Sequence, residues 1–192
     1  MNNKNTVKNL IYGFIKTGAT ALIPLISFPY IVRVLTPDFV GKIDFATAFV
    51  SYFGLLATLG SDVYAIRECA AAKSDKEKLG RTASEIFSIN FFSMIIALTL
   101  MIIVMFSFKA FHPYISLISI LSLTIIFTVL GTAWLNNAME DFGFITVCTF
   151  VLQLLVVVLY FIFIKSQEDY FLKAIISLFP VVAINILNIF LE

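Results

Sequence analysis

Charged side chains are scarce in this chain. Asp, Glu, Lys and Arg make up 13% of its 192 residues, against roughly 25% in a soluble domain. That is too little polar surface to wet a globular protein of this size. The sequence has one histidine, His112, and two cysteines, Cys69 and Cys148. A single imidazole beside Pro113 at a turn excludes an HExxH zinc motif, and neither a Gly-rich phosphate loop nor a nucleophile elbow is found. The chain therefore reads as a non-enzyme, with no catalytic residue, metal or cofactor. One thiol near a hinge and one inside an apolar run make neither a structural disulfide nor a metal site. The formal net charge is +1, so no polyanion such as nucleic acid is indicated as a partner. There is no low-complexity linker and no separate soluble domain. The first apolar run is longer than a signal-peptide core and lacks a small-x-small cleavage site, so it is expected to remain as a membrane anchor.

What the chain does have is hydrocarbon. Hydrophobic residues make up 60%, the mean hydropathy is +1.00, and Phe occurs 21 times. Six apolar runs fall near 10–32, 42–65, 83–107, 114–136, 143–164 and 171–190. A helix needs roughly 20 such residues to cross a bilayer. The runs are apolar nearly all round, whereas a helix in a soluble core hides one stripe. A barrel is excluded because its strands alternate over about ten residues, and FFSMIIALTLMIIVMF does not alternate. The expected fold is an all-α integral membrane protein, a single six-helix transmembrane bundle over 1–192 in contact with membrane lipid.

Basic residues set the expected orientation. Lys4, Lys8, Arg67, Lys73, Lys76, Lys78 and Arg81 fall on one side of six spans. Arg33, Lys42, Lys109, Lys165 and Lys173 fall on the other. Seven against five places both termini in the cytoplasm by the positive-inside rule. The stretch from Arg67 to Arg81 is a helix former that reads either as an interfacial helix running into the third span or as a charged hinge. Pro37 and Pro113 lie at hinges, where a missing N–H does no harm. Pro24, Pro29 and Pro180 lie inside spans, and the first two predict a bend in span one.

Functional residues in such a protein are polar groups placed where lipid rejects them. In span two, Asp44, Thr47, Ser51, Gly54, Thr58 and Ser61 follow steps of three and four and share a helix face, which Asp62 closes. Either this face meets an aqueous cavity or its small residues let helices pack closely. In span one, Tyr12, Lys16, Thr20, Ile23, Ser27 and Tyr30 share a face. Lys16 either snorkels to the interface or meets an anion in a cleft, and Arg33 has the same two readings. Gln153 sits near the middle of span five as an interhelical hydrogen-bonding group or a sugar contact. Glu85 stands four residues from Arg81, so a local ion pair is the default, with ion coupling the sharper alternative for Glu85, Asp44 and Asp62. The cavity candidates are thus Lys16, Thr20, Arg33, Asp44, Thr47, Ser51, Thr58 and Gln153.

Several ordered pieces carry a family likeness. They are PY-x-x-RVL at 29–35, Gly41 with its aromatic follow-up, SYF at 51–53, LG at 59–60, Y-x-x-RE at 64–68, DKEKL with SEIF over 75–87, Trp134 with Glu140, Asp141 and Phe142, and IKSQEDY at 164–170. Together they resemble the bacterial O-antigen and capsular polysaccharide flippases (Wzx-like) of the multidrug/oligosaccharidyl-lipid/polysaccharide exporter superfamily. The family usually has Gly where this chain has Thr36, and it favours aromatic residues, Gln and Gly where Leu135 to Met139 stand here. The resemblance implies one lobe of a two-lobe transporter in the inner membrane, a half or truncated form that pairs with a second lobe or chain. It implies a polyprenyl-diphosphate-linked oligosaccharide as cargo, with Lys16 or Arg33 meeting the diphosphate and Thr47, Ser51 and Gln153 meeting sugar hydroxyls. A drug exporter of the same superfamily and a non-transporting membrane subunit are the alternatives.

Overall fold

The computed structural model describes the backbone of residues 3–139 and 142–191, and the side chains of residues 18, 25–139 and 147–187. Among the described residues the chain is α-helical with short 3-10 turns. The helices are α1 (Asn3–Thr58), α2 (Asp62–Ala72), α3 (Lys76–Ser107), α4 (Ile115–Leu121), α5 (Leu123–Leu130), α6 (Ala133–Ala138), α7 (Phe142–Phe163) and α8 (Tyr170–Leu191). The 3-10 turns Lys109–Tyr114 and Gln167–Asp169 lead into α4 and α8. Four described stretches are long and apolar enough to cross a membrane, namely Leu25–Ala72, Lys76–Ser107, Lys109–Leu130 and Gln167–Leu187, and Val147–Phe163 is a shorter apolar helix. The outer faces stay apolar: on α3, Phe92 is 66% and Phe106 62% exposed. Each Phe left in water forgoes about 2 kcal/mol of burial, so these faces require lipid. The protein is an all-α membrane bundle.

α1 is two rods, 3–35 and 37–58, joined at a sharp kink. The break is Thr36, at φ 63 and ψ 155. Pro37 drives the residue before it out of the helical region, so the helix breaks there. The stretch that holds Pro24 and Pro29 is α-helical, and the break in the helix lies beyond it, at Thr36. The kink is tied to the α7–α8 hairpin. The Tyr30 hydroxyl donates to the Ile164 carbonyl at 2.8 Å. The Tyr30 ring lies 4.3 Å from Phe161, and Phe39 stacks on Tyr170 at 4.9 Å. Ser166 and Asp169 form a capping box ahead of α8, which gives the hairpin a fixed corner.

Two cores hold the chain. The larger gathers α1, α3, α4, α5, α7 and α8 around fully buried Leu35, Ile43, Ile118 and Ile164. Small residues Ala46, Ala57, Ala97 and Ala174 have no exposed surface, which lets neighbouring backbones approach closely. A smaller core joins α2, the start of α3 and α6 through Ala65, Cys69, Ile86, Trp134 and Ala138. This second unit caps the bundle at the end away from the kink. The Leu59–Gly60 turn, with φ 51 and 62, leads from α1 into it. The stretch from Arg67 to Arg81 is not one helix running into the third span. α2 ends at Ala72, and Asp75 starts α3 afresh by accepting from the backbone N–H of Glu77 and Lys78, both at 3.1 Å.

Candidate functional site

The polar stripe of span two does not line one continuous space. It opens onto two cavities, one at each end of the second rod of α1. The cavity near the kink has a volume of about 250 Å³ and lies between α1, α7 and α8. Its polar lining is Ser27, Asp44, Tyr160, Lys173 and Ser177, and its apolar walls include Ile31, Val156 and Pro180. Among the described residues the ion pair within 4 Å is Arg81–Glu85. Asp44 and Lys173 therefore face one space without closing on each other.

The second cavity, about 370 Å³, is an open groove between α1 and α5. Ser51, Gly54, Thr58 and Asp62 line one side, and Thr124 and Thr128 line the other. Small and hydroxyl-bearing residues face each other here because Gly54 brings its rod against Ile125, 3.9 Å from an ideal Cβ at Gly54. The hydroxyl protons are largely used within their own helices. Thr47 donates to the Ile43 carbonyl, Ser51 to Thr47, Thr58 to Gly54 and Thr124 to Leu121, at 2.8, 2.8, 3.4 and 2.7 Å. Such back-bonding satisfies the donor and leaves the oxygen lone pairs to the groove. The groove is thus rich in acceptors, with one carboxylate, Asp62, at its end. Both readings of the stripe hold in part: Gly54 packs, while Ser51, Thr58 and Asp62 line open space.

The other sequence candidates separate from these cavities. Thr47 is exposed and lines neither. Arg33 is exposed near the kink and lines neither. Glu85 makes its expected local pair, with Arg81 Nε donating to Oε1 at 3.1 Å on an open surface. Gln153 is half-buried in α7, and its Oε1 is buried with no hydrogen-bond partner among the described residues. The backbone of Lys16 and Thr20 lies in α1, and their side chains lie outside the described residues, as do those of Tyr12 and Ile23.

Sequence reasoning passed over a polar belt where the bundle meets its cap. Asn90 is 3% exposed, and the Ser61 hydroxyl donates to its Oδ1 at 3.0 Å. Asn185 is 4% exposed and donates Nδ2 to the Val181 carbonyl at 2.8 Å. An ideal Cβ at Gly131 would fall on the Oδ1, Cγ and Cβ of Asn185, so only glycine allows this approach. Thr132, the next residue, is left-handed at φ 40, and the chain leaves α5 for α6 here. The available signal was Asn inside apolar runs, Asn90 in the third and Asn185 in the sixth, since an amide in hydrocarbon needs a partner. Asn136 is buried too, and its Nδ2 has no hydrogen-bond partner among the described residues. Lys173 was counted for orientation only.

Two curated relatives share this sequence. The chain is 26% identical over 166 residues to a putative O-antigen transporter of Escherichia coli (strain K12), covering 84% of this chain and 39% of that protein. It is 27% identical over 165 residues to a putative O-antigen transporter of Shigella dysenteriae, covering 84% and 40%. The chain thus spans about two fifths of the length of the curated relatives it matches. No solved structure matches it. The family described as polysaccharide biosynthesis protein matches residues 6–191, and this chain belongs to it.

Proposed function

We propose that this chain forms part of a transporter that moves a polyprenyl-diphosphate-linked oligosaccharide across the bacterial inner membrane for surface polysaccharide synthesis. In this reading the chain crosses the membrane six times with both termini in the cytoplasm, and a second lobe or chain supplies the facing wall. The observation that carries it is the α1–α5 groove, lined by Ser51, Thr58, Asp62, Thr124 and Thr128 inside an otherwise apolar bundle. Acceptor oxygens along a membrane-embedded groove offer sugar hydroxyls a substitute for water. The lipid tail of such a cargo stays in the bilayer while its polar head follows the groove, and rocking of one lobe against the other alternates the access. Family membership and the names of the two relatives support a polysaccharide cargo. Asp62 is the one groove carboxylate available for ion coupling. Glu85 is engaged with Arg81 and is left out of the path.

Thiol labelling tests this. Cys69 and Cys148 are free thiols, so a cysteine-free background is made first. Single cysteines at positions 51, 58 and 128 should react with a membrane-impermeant maleimide in cells or inverted vesicles. Cysteines replacing Phe92 and Phe106, on the lipid face, should not. Groove positions as silent as the lipid-facing controls would remove the groove from the path.

A further inference from the structure

We infer that the cavity near the kink is a binding site for a zwitterionic phospholipid, one whose headgroup carries a phosphate and a primary amine. Lys173 and Asp44 supply opposite charges to one space, and neither has an ion pair or hydrogen bond to close on among the described residues. Two opposite charges that face one cavity, with no ion pair or hydrogen bond among the described residues, suit a polar group that bridges them. A net anion meets the Asp44 carboxylate as well as the Lys173 ammonium. A net cation meets the reverse. A headgroup bearing both charges satisfies each.

The heights agree. Phe39 stacks on Tyr170, which sets α1 and α8 in register at the kink end. Measured from that stacked pair, Asp44 lies about 8 Å along its rod and Lys173 about 5 Å along α8, similar heights from one origin. Both fall near the thickness of one headgroup layer, about 5–7 Å. The rest of the lining is largely apolar, with Ile31, Val40, Val156, Val157 and Pro180. The cavity thus sets two opposite charges among greasy walls, as an amphiphile requires. Its volume of about 250 Å³ equals roughly eight waters, room for a headgroup and the top of one acyl chain. Phe28 and Asp44 are exposed, so the cavity is open to an entering lipid. The Ser177 hydroxyl donates to its own helix at the Ala174 carbonyl and offers an acceptor to the amine.

In this arrangement the phosphate accepts from Lys173 Nζ, and the amine donates to the Asp44 carboxylate. Both are charge-assisted hydrogen bonds. A quaternary choline has no N–H to give, and a glycerol headgroup has no positive charge. The site thus ranks phosphatidylethanolamine above phosphatidylcholine and above phosphatidylglycerol.

Native mass spectrometry of the purified full chain, exchanged into micelles holding equal amounts of the three lipids, reads this ranking. The expected result is about tenfold more bound phosphatidylethanolamine than phosphatidylcholine, one charge-assisted bond's worth. Lys173→Gln should abolish the retention, and Asp44→Asn should remove the preference over phosphatidylglycerol. If either variant fails to fold, the stepwise N-methylated ethanolamine series on the unaltered protein decides, with retention falling as N–H donors are lost. Equal retention of all three lipids, or a ranking led by phosphatidylglycerol, would overturn the assignment.

Discussion

Replacing Thr36 with glycine should stabilise this protein, although it removes a side chain from the middle of a long helical element. Thr36 sits at φ 63 and ψ 155, a region that is essentially reserved for glycine and costs other residues about 1–3 kcal/mol. A β-branched side chain makes the crowding worse. Glycine relieves that strain and adds about 0.4–1 kcal/mol of unfolded-state entropy against it. The balance is a gain of about 1 kcal/mol, which raises the melting temperature by roughly 2–4 °C for a chain of this size. Thermal unfolding in detergent micelles, followed by circular dichroism, measures the shift. Thr36→Ala is the control, since it keeps the Cβ and with it the strain. A Thr36→Gly protein that melts below the unaltered chain would refute the argument, as would an alanine variant that gains as much.

Further expectations concern the polar belt, the cap and the candidate polar face of the first span. Gly131→Ala should lower stability by about 1–3 kcal/mol, because the added methyl falls on the buried Asn185 side chain, and thermal melts read it. Asn90→Leu should cost about 1–3 kcal/mol by stranding the Ser61 hydroxyl. Adding Ser61→Ala should return part of that loss, which a double-mutant cycle of melts would show. Asp75→Ala should cost about 1 kcal/mol by removing the N-cap of α3, seen as earlier proteolysis of the 73–80 segment. Lys16→Ala in the polypeptide as cells make it should lower surface polysaccharide at unchanged protein level, and unaltered export would remove Lys16 from the path.

The fold class was legible because hydrocarbon content decides the solvent before any contact is considered. Periodicity also placed Ser51, Gly54 and Thr58 together on one face, and they line one groove. It could not show that Asp44 opens elsewhere. Asp44 and Ser51 are seven residues apart, nearly two whole turns, so they share a face and differ in height by about 10 Å. Over that height the neighbours of the rod change from α7 and α8 to α5. A helix face is a local property, while what covers it is a property of the bundle. Pro37 was read as a hinge residue, and the break at Thr36 agrees, because proline acts on the residue before it. Asn90 and Asn185 went unremarked because one or two amides in an apolar run draw no extended stripe, and only packing shows that one meets Ser61 and the other Gly131.

The belt and the groove meet at the same place. α1 ends at the Leu59–Gly60 turn and α5 ends at Gly131, and each break frees backbone groups that lipid cannot satisfy. The residues at or against these breaks are polar: Ser61, Asp62 and Asn90 at the first, Thr132 and Asn185 at the second. α2 and α6, which follow the two breaks, share the small core built on Cys69 and Trp134. Movement of α2 and α6 against the bundle would turn about the Leu59–Gly60 and Gly131–Thr132 joints together, with α3 running unbroken from the small core into the bundle. Asp62 lies at the first joint and lines the groove. In the proposed reading a substrate head in the groove and the position of the cap are joined through one short turn. A disulfide between α6 and α8, which approach each other, would test that coupling by tying the cap to the bundle while leaving the groove residues untouched; it should arrest export, and export at full rate with the cap locked would show that the joints do not move.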